Sequence, residues 1–161
     1  MSELVPTPTA VPDRTALAQA NPHVIGGARW FWWITALSLV NTVMIHTGAD
    51  LNFVIGLGFT LLADATFRNH QVIAFAIDAI ALGFVFGLGW FAAKGHLWAF
   101  VTGAVLYTLD ALIYVIYQDW MSVGFHGLAL FYIIRGAQEL RGILRDAADH
   151  AEPPPLAPTA G

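Results

Sequence analysis

The sequence predicts an all-α integral membrane bundle of four transmembrane helices plus one short re-entrant or interfacial helix. Three observations predict it. Of the 161 residues, 57% are hydrophobic and only 11% charged, against roughly 25% charged in soluble domains. The stretches 28–47, 71–93 and 97–118 each reach the roughly 20 apolar residues that cross a bilayer, and a fourth begins at 121. One of them, 97–118, carries a carboxylate, Asp110, near its middle.

Residues 1–27 are rich in Pro, Thr and Ala without periodicity and read as a disordered cytoplasmic tail. The first span, 28–47, opens on Arg29 and the cluster Trp30, Trp32 and Trp33, residues that favour the headgroup level. Ser38, Thr42 and His46 share a face of its second half, with Asn41 beside them. Residues 51–63 are apolar but too short to span, loosened by Gly56 and Gly58 and followed by Asp64, so they read as re-entrant or interfacial. The second span, 71–93, holds Asp78 on a face of small residues; Gly83 and Gly87 form a GxxxG on the far side, a weak signal for self-association.

In 97–118, Gly103, Tyr107, Asp110, Tyr114 and Tyr117 recur at steps of four and three and so line one side of a helix. The bulky aliphatics cover the rest and suit lipid, which turns Asp110 toward protein. A carboxylate at that depth costs at least about 2.5 kcal/mol on insertion scales and needs a partner, a proton or a water-filled cavity. The last span starts at 121, carries His126 near its start and runs through Arg135; residues 28–145 form the membrane domain and 146–161 a second disordered cytoplasmic tail.

With 51–63 dipping in and returning, Arg14, Arg29, Lys94, Arg135, Arg141 and Arg145 fall on one side, with only Arg68 opposite, beside Asp50 and Asp119. The positive-inside rule makes the first side, and both termini, cytoplasmic. Asn41, His46, Asp78, Asp110 and His126 then all lie in the outward half of their helices, and Asp64 belongs to the dipping segment. That predicts a polar site opening outward, with Tyr107 and Tyr114 beside it.

Three functions stay open on these residues. Carboxylates with histidines are the usual parts of proton relays, so proton- or ion-coupled transport is the first. The second is a structural or partner-binding membrane subunit whose acids only lock helix packing. The third is an intramembrane metal-dependent enzyme with His46, His126, Asp78 and Asp110 as ligands; no HxxxH or HExxH spacing supports it. Cysteine is absent, which removes disulfides, thiolate catalysis and cysteine metal ligands. No GxSxG motif marks a serine nucleophile. No cofactor is indicated, and a net charge of −4 without a basic footprint excludes nucleic acid as a partner. The partners left are the lipid bilayer and further copies of the chain, since four helices rarely enclose a transport pathway alone.

The stretches WFWWITALSLVNTVMIHTG, FVIGLGFT and LDALIYVIYQDWMSVGFHGLAL resemble a group of small, uncharacterised bacterial multi-pass membrane proteins. The resemblance covers about 26–142 and implies a bacterial inner-membrane location; it carries no activity or ligand with it.

Overall fold

The computed structural model describes residues 13–47, 57–67 and 69–151, and these form six helices and no strand. In order they are α1 (Arg14–Ala20), α2 (Pro22–Thr47), α3 (Gly58–Thr66), α4 (Gln71–Ala93), α5 (Leu97–Ile116) and α6 (Trp120–Ala151). The four long helices close a ring in which α2 packs on α4, α4 on α5, α5 on α6 and α6 on α2. α3 wedges between α4 and α5, beside the α5–α6 turn. α1 lies across the opposite end, against α2, α4 and α6.

By length and composition, α4 and α5 are the two helices apolar enough to cross a membrane. The other two expected spans do not meet that measure. Asn41 and His46 dilute α2, and α6 runs on into Arg135, Glu139, Arg141, Arg145 and Asp146.

Helical structure also reaches into both predicted tails. Asp13 caps α1 by accepting from the Thr15 N–H at 3.2 Å. Asn21 caps α2, its Oδ1 accepting from His23 and Val24 at 2.9 and 3.2 Å. Pro22 then occupies the first helical position, where its missing N–H costs nothing. Ala18 and Val24 are wholly buried, so tertiary packing holds 13–27, which composition alone assigns to a tail. At the other end α6 continues to Ala151. The short helix is also displaced: residues 51–56 lie outside the described residues, and α3 runs past 63 to include Asp64.

Gly26-Gly27 is not a break but a crossing. A Cβ on Gly27 would sit 2.9 Å from the Tyr132 carbonyl oxygen and 3.1 Å from Gly136 Cα, so α2 and α6 touch backbone to backbone there. Small residues at such crossings are how membrane helices approach. A Cβ on Gly83 or Gly87 would meet nothing within 4 Å among the described residues. Gly95, in the α4–α5 turn, has φ +79 and lies against Arg14, a place only glycine fills without strain.

The interior divides by depth. Toward α1 it is apolar, with Val24, Phe31, Phe100, Ile133 and Leu140 buried. Toward α3 it is polar: Ser38, Asn41, Thr42, Asp78, Asp110, Ser122 and His126 are all buried. The outer surface is the reverse of a soluble one, with Val43, Phe84, Leu109 and Phe131 exposed on the four long helices.

Asp119 starts α6. Its carboxylate accepts the Ser122 hydroxyl at 2.6 Å and the Ser122 N–H at 3.2 Å. Those bonds, the hydroxyl first, hold its carboxyl below the usual value. The cap therefore contributes fully above the ordinary carboxylate pKa and is lost as pH falls through the lowered one. Asp119→Ala is expected to cost about 1 kcal/mol at neutral pH. Unfolding midpoints of the two proteins measured across pH should converge in acid; a constant gap would assign the loss to something other than the carboxylate.

Candidate functional site

The site is built on the start of α3. A helix begins with backbone N–H groups that have no partner inside the helix. Here that end is buried, and side chains from two other helices take up its donors. Leu57 N–H donates to Ser38 Oγ on α2 at 2.8 Å. Gly58 N–H donates to Asp110 Oδ2 at 2.9 Å and Phe59 N–H to Asp110 Oδ1 at 2.8 Å. The Thr60 hydroxyl closes the turn onto the Leu57 carbonyl at 2.8 Å. A carboxylate at a helix N-terminus also meets the positive end of the helix dipole. Asp110 thus serves α3 as a cap supplied by another helix.

Close approach makes this possible. A Cβ on Gly58 would lie 2.9 Å from the Tyr114 ring, so only glycine lets the start of α3 come down on α5.

His126 completes the group. Its Nε2 lies 2.9 Å from Asp110 Oδ2 and its Nδ1 2.8 Å from the Ser122 carbonyl oxygen. A carbonyl only accepts, so Nδ1 carries a proton. The Nε2–Oδ2 contact needs a proton as well, on nitrogen or on oxygen. In either form Asp110 and His126 together carry no net charge, which limits the cost of burying them. Tyr107 stacks on the imidazole with ring centroids 4.3 Å apart, and Tyr114 lies tilted against it at 5.0 Å.

Four of the predicted site residues, Asp110, His126, Tyr107 and Tyr114, therefore meet in one group. Asp78 belongs elsewhere, on the seam between α2 and α4, where it accepts the Thr42 hydroxyl at 3.1 Å. Asn41 is buried on α2 next to that seam. Asp64 is half-buried in α3, beyond the clamp. The His46 side chain lies outside the described residues, as do Asp50 and Arg68. Among the described residues no three His, Asp or Glu side chains gather as a metal site would require. Of the four ligands expected for a metal enzyme, His126 and Asp110 pair and Asp78 sits on another seam, while the His46 side chain is outside the described residues.

Sequence reasoning missed the backbone half of the site. The N–H groups of 57–59 leave no residue-type signal. The available hint was the glycine at 58 combined with an acid needing donors inside a neighbouring span.

A cavity of about 330 Å³ adjoins the group, lined by Phe31 and Ile34 of α2, Leu57 and Phe59 at the start of α3, and facing residues of α4 and α5 including Tyr107 and Asp110. Apart from those last two its walls are apolar. No family model, curated protein or solved structure matches the chain.

Proposed function

We propose that this chain is a small multi-pass membrane protein in which α2, α4, α5 and α6 cross the bilayer and α3 is a half-helix held inside it. Its buried acids are packing locks, and the protein acts as a structural or partner-binding membrane subunit. The observation carrying this reading is the engagement of Asp110. Both carboxylate oxygens already hold structural partners, two backbone N–H groups and His126, so the acid is committed to fixing α3 and α6 on α5. The apolar outer belt and polar interior support the membrane assignment, because only a hydrocarbon solvent favours that order. Arg14, Lys94 and Arg135 lie toward one end, the Thr15 hydroxyl reaching Lys94 O at 3.5 Å and Arg135 donating to His23 at 3.3 Å, which favours that end as cytoplasmic in a bacterial inner membrane.

The chain has no cysteine, so introduced ones are unique reporters. A membrane-impermeant maleimide applied to intact cells is expected to label Tyr117→Cys and to spare His96→Cys until lysis. Labelling of both in intact cells would overturn the crossing of α5.

Proton-linked transport is the second reading, favoured by the proton that Asp110 and His126 share. In proteoliposomes with a pH-sensitive dye inside, the lock reading expects the leak of empty vesicles. A flux abolished by Asp110→Asn would replace it with the transport reading.

A further inference from the structure

We propose that the groove between α2 and α6 at Arg29 binds one anionic phospholipid of the cytoplasmic leaflet, its phosphate on the Arg29 guanidinium and an acyl chain along Trp33 and Leu37. The inference rests on the membrane reading above and adds a specific lipid to it.

The groove is a gap in a tight seam. α2 and α6 touch backbone to backbone at Gly27. Beside that crossing they leave an opening of about 420 Å³, lined by Gly26, Arg29, Trp30, Trp33 and Leu37 of α2 and by Phe125 of α6. Its wall is braced, because Trp30 stacks on Tyr132 with ring centroids 5.2 Å apart and tilts against Phe125 at 5.8 Å. A Cβ on Gly26 would meet nothing within 4 Å among the described residues, so the end nearest Arg29 is open.

Arg29 is the cation that can serve it. Lys94 Nζ lies 3.6 Å over the Trp90 ring, and Arg135 donates to His23 at 3.3 Å. Arg29 is exposed, lines the groove, and has no hydrogen bond or ion pair among the described residues. A guanidinium can hold a phosphate through two parallel N–H bonds. Basic pockets between spans on the cytoplasmic side are where anionic headgroups collect.

Depth and order select the occupant. Thr42 meets Asp78 and Trp32 meets Gly89, so α2 and α4 run antiparallel and Arg29 stands level with the last turn of α4. Arg29, Trp33 and Leu37 follow at steps of four, on one face, over about 12 Å. Charge, indole and aliphatic chain thus succeed one another from the helix end inward. That is the order of phosphate, glycerol and acyl chain in a lipid, and tryptophan favours the middle level. A second copy of the chain brings no counter-charge to this height, since the acids within the spans, Asp78 and Asp110, are buried in the other half of the bundle.

The full chain, extracted from membranes in neutral detergent, is titrated with phosphatidylglycerol whose brominated chains quench tryptophan on contact. Phosphatidylcholine with the same brominated chains is the control. Phosphatidylglycerol is expected to quench saturably at one lipid per chain, about five-fold tighter than phosphatidylcholine. Arg29→Gln should bring it down to the phosphatidylcholine value. Gly26→Leu should fill the open end and abolish the preference, while the unfolding midpoint holds or rises, because leucine is the better helix former. Equal quenching by the two lipids, or an unchanged preference in either variant, overturns the site. So does displacement of the lipid by equimolar glycerol 3-phosphate, which would make the ligand a free phosphate ester. Disulfide pairing between chains of a Trp33→Cys variant, which has no other cysteine, would give the groove to a second copy and overturn it as well. Recovery of the chain outside the membrane fraction overturns both this inference and the membrane reading. Equal quenching of membrane-extracted protein removes the site alone.

Discussion

Asp110→Ala is expected to lower the unfolding free energy in detergent by about 3–5 kcal/mol, the cost of leaving a buried pair with one partner. Three groups lose their acceptor at once: the N–H of Gly58, the N–H of Phe59 and the His126 ring. Gly58 and His126 are buried and cannot turn to water. Asp110→Asn should be milder, about 1–3 kcal/mol. Its amide oxygen keeps Phe59, and its NH2 donates to His126 Nε2, whose Nδ1 proton stays on the Ser122 carbonyl. Only Gly58 N–H is left without an acceptor. Hydrogen exchange should report the loss first at 57–60 in both variants. An Asn variant that equals the Ala variant would mean that charge, rather than acceptor count, holds α3.

The α2–α6 crossing gives the second large effect. Gly27→Ala places a methyl group 2.9 Å from the Tyr132 carbonyl oxygen and 3.1 Å from Gly136 Cα. These neighbours are backbone and cannot swing aside, so the helices must part, at a cost of about 1–3 kcal/mol. Gly26→Ala, one residue earlier, meets nothing within 4 Å among the described residues. There alanine is the better helix former, by up to about 1 kcal/mol, and the variant should be neutral or more stable. Thermal unfolding of the two variants should thus move in opposite directions. Equal shifts would show that α2 does not pack on α6 through this residue.

Legibility in the sequence followed the physics of each signal. Residues 71–93 matched α4 because a long apolar run bounded by polar residues is fixed by composition alone. Of the predicted face, Gly103, Tyr107, Asp110 and Tyr114 were readable because helical period puts them in line, and these four are buried; Tyr117, the fifth, falls past the end of α5 and is exposed. The start of α2 was not readable in the same way. Gly26 and Gly27 look like punctuation, and only the partner helix reveals that the second of them is a contact surface. α1 was missed because a helix of 7 residues has almost no periodicity to display; burial of Ala18 against the bundle holds it in place. Asp78 and Asp110 were read as one site because they share a half of the bundle. Depth is legible in a sequence. Which seam of a four-helix ring a residue faces is not, and the seams separate Asp78 on Thr42 from Asp110 on α3.

The clamp at Gly58 also orders events during synthesis. Its main acceptor comes 52 residues later in the chain. When the ribosome has made α3, only Ser38 exists to receive any of the three donors at its start. On the proposed membrane reading those groups cannot sit in hydrocarbon unpaired, so α3 would wait at the membrane surface or in the translocation machinery until α5 has followed it. On that reading docking of α3 is a late step of biogenesis, and a chain truncated before Asp110 would display the same segment as a recognisable mark of incompleteness.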